Sequence, residues 1–192
     1  MTLTLIARNP FTREIGVAIA SGSDDCTGGS LYAADGRGLV SVQAKGNSAT
    51  GAALAQMMRD DIPSDTALEQ IREADRELDF RQVLYAPFDG DLRAFTGAQC
   101  LPWAGQIVTE HYILAGNMLA GESVLKKMEK TYLDGLQAPL RRRLLAALQA
   151  GIAGGGDLRG HRSGGVIILG DKPFSAIAKS EVDVLGALAA SL

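Results

Sequence analysis

Histidine, cysteine and tryptophan are scarce in this chain, with two, two and one of them among 192 residues. Cys26 and Cys100 stand far apart and form no CxxC pair, so both are expected as reduced thiols, Cys100 buried. His111 and His161 lack the spacing of metal ligands, and neither a metal nor any other cofactor is expected. No apolar run approaches the roughly 18 residues of a membrane span. No charged-then-apolar leader opens the chain either, which points to a cytoplasmic setting without a membrane partner. Basic residues are outnumbered, 19 Lys and Arg against 22 Asp and Glu, giving a net charge of −3 that argues against a nucleic-acid partner. The one basic run, Arg141-Arg142-Arg143, opens a leucine-rich segment and reads as a solvated helix face.

What remains is an ordinary globular composition, 46% hydrophobic and 21% charged, over a length that suits a single domain spanning residues 1–192. Thr2–Arg8 and Ile15–Ser21 are apolar, β-branched runs joined by Asn9-Pro10-Phe11, the pattern of a hairpin inside a sheet. Gly22–Gly38 is polar and glycine-rich and is expected as a loop with room for a short helix. Leu39–Ala44 is a third strand. Gly46-Asn47-Ser48 opens a helix through Arg59, and Ser64 or Asp65 caps a second one. Strands follow at Phe80–Tyr85 and Leu92–Phe95 around Asp89-Gly90-Asp91, with a further pair between Gln106 and Ala115. Helical spacing returns over Gly121–Tyr132 and Leu140–Ala150. Strands at Val166–Leu169 and Phe174–Ile177 and a helix over Val182–Leu192 close the chain. Strands, two helices, strands, two helices, strands is the order of an α+β protein, and it favours a four-layer α-β-β-α sandwich of two antiparallel sheets.

Two places could carry chemistry. Removal of Met1 would leave Thr2 with a hydroxyl and a free α-amine on one residue. An α-amine titrates near ~7.7–8.0, so a fraction is neutral at physiological pH and can take the hydroxyl proton without help from a histidine. Threonine is also simply a good strand former, and the bland reading of Thr2 is that alone. The segment Gly155–Gly165 packs Asp157, Arg159, His161 and Ser163 between glycines, next to a buried strand. Asp157 and Arg159 could pair and orient Ser163 or a terminal amine; the alternative is a surface loop.

Several segments, TLTLIARNP with GVAIAS, TGAQCLPWAG (Thr96–Gly105), GNMLAG around Asn117, and GGDLRGHRSGG, fall in an order that resembles the domain of unknown function 1028 family. That family is assigned to the N-terminal-nucleophile (Ntn) hydrolases of bacteria and archaea. The resemblance covers Thr2 to about Leu169 and implies the αββα fold, with the site at the sheet end where Thr2 begins its strand. It implies Thr2 as nucleophile, Gly46 N–H as an oxyanion donor, and Asp157 and Ser163 as supports of the terminal amine. Asn117 is implied at a turn facing the site. Lys45, Asn47, Thr96, Trp103 and Arg159 are the expected substrate contacts, although Trp103 is equally at home in a core. The lysine beside the nucleophile in proteasome-type relatives has no counterpart between Ser21 and Leu39; Lys45 could instead attract a substrate carboxylate. The expected activity is cleavage of an amide bond in a small molecule or peptide, by a homodimer or higher homo-oligomer. The alternative is a non-catalytic binding or assembly protein that keeps the sandwich.

Overall fold

The computed structural model describes residues 2–156 and 160–191. The chain opens with β1 (Thr2–Asn9), β2 (Glu14–Ser21), α1 (Cys26–Ser30), β3 (Leu31–Ala34) and β4 (Gly38–Ala44). Next come α2 (Ser48–Arg59), α3 (Ser64–Ala74), a 3-10 turn (Leu78–Phe80), β5 (Arg81–Pro87) and β6 (Arg93–Thr96). β7 (Gly105–Val108), β8 (Tyr112–Asn117), α4 (Ser123–Asp134) and α5 (Leu140–Ala153) follow, then β9 (Ser163–Leu169), β10 (Phe174–Ala178) and α6 (Val184–Ala189). A six-stranded sheet has the order β10-β9-β2-β1-β8-β7 and a four-stranded sheet the order β3-β4-β5-β6, with every pairing antiparallel.

Strand alternation decides what each face meets, because successive side chains point to opposite sides. On β1 the odd positions Leu3, Leu5 and Ala7 join Leu125, Met128, Leu144 and Leu148 of α4 and α5 in one fully buried core. The even positions turn the other way. Ile6 meets Val17, Ile19, Leu39, Leu84 and Ile113 between the two sheets. A third core lies between the four-stranded sheet and α2 with α3, through Val42, Val83, Leu54, Met58 and Ile71. The layers therefore run α4/α5, six strands, four strands, α2/α3: the α-β-β-α sandwich. Among the described residues no helix is long and apolar enough to cross a membrane.

Local details depart from the sequence reading. The expected Gly22–Gly38 loop contains the edge strand β3, which pairs with β4 from Leu31↔Ser41 to Ala34↔Gly38. A strand of four residues is too short to show a period of its own. Cys26 is the buried thiol, and Cys100 is only half-buried. Arg143 is not on a solvated face: it is 8% exposed, with its guanidinium 4.0 Å over the Tyr132 ring. Pro63, not Ser64 or Asp65, holds the cap position of α3. Ser64 Oγ instead donates to Asp91 O at 2.6 Å, and Asp65 accepts from Arg93.

Candidate functional site

The layer between the sheets has two unlike ends. At the end where β1 finishes, the Arg8 guanidinium closes it. Nη1 donates to Gly90 O at 2.7 Å and to Phe88 O at 3.2 Å, and Nη2 to Glu110 O at 2.7 Å. At the end where β1 begins, the inward-facing positions cease to be apolar. The registers Thr2↔Ser21, Thr2↔Asn117 and Ser21↔Ser163 set four polar side chains in one row across β9, β2, β1 and β8. All four are 6% exposed or less. Each shares strand parity with the inter-sheet core: Thr2 with Ile6, Ser21 with Ile19, Asn117 with Ile113.

Directly opposite cross-strand neighbours have Cβ atoms about 4.5–5.5 Å apart. Thr2 thus has Ser21 on one side and Asn117 on the other. Ser163 is two strands away, about 9–10 Å at the usual strand spacing, so any support it lends the Thr2 amine passes through Ser21. Its Oγ accepts from the Cys26 N–H at 2.9 Å, which fastens β9 to the start of α1. Ser21 Oγ accepts from Ser23 N at 3.2 Å and from Ser23 Oγ at 3.0 Å. Among the described residues the Thr2 side chain makes no hydrogen bond.

Behind this row, amides join the sheets. Thr4 Oγ1 donates to Gln43 Oε1 at 2.7 Å, and Gln43 Nε2 donates to Gln82 Oε1 at 2.8 Å. Gln82 Oε1 also accepts from Asn117 Nδ2 at 3.2 Å. Gln82 Nε2 reaches Gly116 O at 2.8 Å, and Gly105 O and Thr96 Oγ1 at 3.0 Å each. Thr96 Oγ1 passes its own proton to Gln106 Oε1 at 2.8 Å. No described side-chain N or O buried from solvent lacks a partner, so the amides behind the row form a satisfied network rather than a packing fault. Gln43, Gln82, Thr4 and Ser21 join the site without a motif to mark them in the sequence. Their signal is a polar residue at every inward position near one strand end, visible only once the inward parity is known.

The turn after β4 borders the same end. Ala44 adopts a left-handed φ of 68°, uncommon for a residue with a side chain. Arg81, 3% exposed at its side chain, clamps the backbone just beyond Ala44. Its Nε donates to Asp75 Oδ2 at 2.7 Å, Nη2 to Asp75 Oδ1 and Glu77 Oε2 at 3.2 Å each, and Nη1 to Lys45 O at 2.7 Å. The hydrogen bond from Arg81 is the largest influence holding the Asp75 carboxyl down at about 2. Lys45 is committed elsewhere: its Nζ lies 2.5 Å from Glu77 Oε1 and 5.5 Å from the Phe80 ring centroid. Asn47 caps α2, with Oδ1 accepting from Ala49 N and Thr50 N at 3.0 and 3.3 Å. Neither side chain joins the Thr2 row.

Thr96 belongs to the amide network, one step from the row. Trp103 packs over Gly105, where a Cβ would stand 2.5 Å from the ring, and against the α4/α5 core. Its indole is thus committed to packing. Asp157 and Arg159 lie outside the described residues. Burial pushes the Cys26 thiol up to about 11, which removes it as a nucleophile at neutral pH. Among the described residues no three His, Cys, Asp or Glu side chains converge to hold a metal. A cavity of about 400 Å³ lies at the opposite end of the sandwich, lined by Arg37, Asp61, Tyr85 and Asp91 among others. Its Asp61 and Asp91 are paired with Arg37 and Arg93, at 3.0 and 3.1 Å, and no candidate residue reaches it.

Residues 2–185 match the family of unknown function DUF1028. The fold is similar to the crystal structure of protein SPO2555 from Silicibacter pomeroyi, itself described as DUF1028. The TM-score is 0.89 at 27% identity, over 98% of this chain and 86% of that one. No curated protein matches the sequence.

Proposed function

The chain belongs to the family of unknown function DUF1028, and on that premise we propose that it is an N-terminal-nucleophile hydrolase that cleaves an amide bond of a small molecule or peptide. Once Met1 is removed, the Thr2 α-amine takes the hydroxyl proton, and Oγ1 attacks the substrate carbonyl carbon. The tetrahedral oxyanion is held by the Gly46 N–H, a donor of a kind typically worth about 2.7–4 kcal/mol. The C–N bond breaks, the amine leaves with that proton, and water then hydrolyses the acyl–Thr2 ester. Asn117 and Ser21 flank the α-amine and orient it. Ser163 sets the position of Ser21's strand. The observation that carries the reading is the row Ser163–Ser21–Thr2–Asn117, a set of buried polar side chains at the end of the inter-sheet layer where β1 begins.

The second reading is a binding or assembly protein without turnover. The observation in its favour is the ion pair that commits Lys45 to Glu77. Incubation of Met1-free protein with a β-lactone, followed by peptide mapping, separates the two. The hydrolase reading expects one acyl group on Thr2, lost in Thr2→Ala and in a protein extended at its N-terminus. Acylation of the extended protein at an equal rate sinks it; absence of any Thr2 adduct leaves the binding reading standing.

A further inference from the structure

The turn after β4 is gripped from one side only. Arg81 shares the parity of Val83 and Tyr85, whose side chains pack into the α2/α3 core, whereas Gln82 and Leu84 face the other sheet. From that helix side, Arg81 Nη1 donates to Lys45 O at 2.7 Å and, more weakly, to Gly46 O at 3.4 Å. Lys45 C=O and Gly46 N–H are the two ends of one peptide unit. That unit is trans and planar, so they point in opposite directions. Tying the carbonyl toward α2 and α3 turns the N–H toward the other sheet, the one that carries Thr2. Gly46 follows Gln43, the partner of Thr4, by three residues, which keeps it at this end. Among the described residues the Gly46 N–H has no acceptor. A Cβ at Gly46 would have Gly29 O of α1 as its nearest neighbour, at 3.5 Å, so the approach is uncrowded.

We infer that Arg81 is a positioning residue that aims the Gly46 N–H at the oxyanion, an inference that rests on the hydrolase reading of Thr2. Guanidinium geometry suits the task. Its five donors divide between the two carbonyls on Nη1 and the carboxylates of Asp75 and Glu77 on Nε and Nη2. Asp75 is itself fixed by Thr50 Oγ1 at 2.5 Å and by Glu77 N at 3.1 Å, which ties the clamp to the start of α2 and the end of α3. A lysine ammonium is a single point and cannot fill both roles at once.

The test compares two reactions of the same terminus in wild type, Arg81→Lys and Asp75→Asn. Acylation of Thr2 by a β-lactone passes through an oxyanion. Imine formation between the α-amine and an aldehyde, trapped with borohydride, does not need an oxyanion donor. In both variants acylation is expected to slow about 10²-fold, the loss seen when one such donor is removed, with imine formation unchanged. Equal loss of both reactions assigns Arg81 a merely structural role and overturns the inference. So does unchanged acylation. Wild-type protein that forms the imine and is never acylated fails the hydrolase reading itself, and the inference falls with it. Should the variants not fold, NMR of wild type with a peptide boronate replaces them. A downfield shift of the Gly46 amide proton on the Thr2 adduct is expected, and an unmoved resonance overturns the proposal.

Discussion

Gln82 shows how much a single side chain holds. Its carboxamide serves Gln43 and Asn117 as acceptor, and Thr96, Gly105 and Gly116 as donor, at 2.8–3.2 Å. Each buried group left without a partner costs roughly 1–3 kcal/mol, so Gln82→Met is expected to lose at least about 3 kcal/mol. Denaturant unfolding checks this through a fall in midpoint at constant slope. Asp75 gives a pH signature. Its folded pKa of about 2 lies below the ordinary 3.8, chiefly through the Arg81 hydrogen bond. The unfolded chain therefore takes up the proton first. The stability from this group is complete above about pH 4 and drains away as the pH falls toward 2, on the order of 2 kcal/mol in all. Glu77, Asp25 and Asp65 are also held low and contribute in the same acid range. The comparison that isolates Asp75 is with Asp75→Asn: lower stability at neutral pH but a shallower loss between pH 4 and 2. Parallel curves for the two proteins would contradict the assignment.

At the scale of the element, close approach is the rule where helix meets sheet. α2 lies against β3 through Gly51, where a Cβ would stand 2.2 Å from the Tyr32 ring. Alanine at that position improves helix propensity by up to ~1 kcal/mol, yet overpacking typically costs ~1–3 kcal/mol, and the clash is with a rigid ring. Gly51→Ala is expected to lower the melting temperature, as calorimetry would register; a rise would mean that Tyr32 swings aside freely. β1 announced itself because TLTLIAR is apolar and β-branched along its length, and α5 because Leu144, Leu145 and Leu148 recur at helical spacing. β3 went unseen because its order comes from pairing with β4 rather than from its own four residues. In the basic run Arg141 and Arg142 are exposed, as a solvated helix face requires, and only Arg143 departs. Arg143 points at Tyr132 of α4, a neighbour that only helix–helix packing supplies.

For the whole molecule, the six-stranded sheet is covered by α4 and α5 on one face and by the second sheet on the other, so its centre is the most protected region. Hydrogen exchange is expected to be slowest in β1, β2 and the β9 and β8 segments beside them, and faster in the edge strands β7 and β10 and in the short α6. Early exchange of β1 would count against the inter-sheet amide network as a rigid support for Thr2. Of the sequence candidates, the fold gathers Thr2, Asn117 and Ser163 into one row. Lys45, Asn47 and Trp103 are turned to an ion pair, a helix cap and a core.

The sequence by itself determined the class of this protein: the order of strands and helix pairs, the apolar faces and the four layers they imply. Those follow from periodicities of two and 3.6 residues, which are local properties of the chain. Tertiary structure alone decided which side chains meet at Thr2. Cross-strand register brings Asn117 and Ser21 beside it, and the stacking of two sheets joins Gln43 of one to Thr4 of the other. Such neighbours depend on contacts between segments far apart in sequence. No local pattern encodes them, because the same residues one position out of register would face the opposite side.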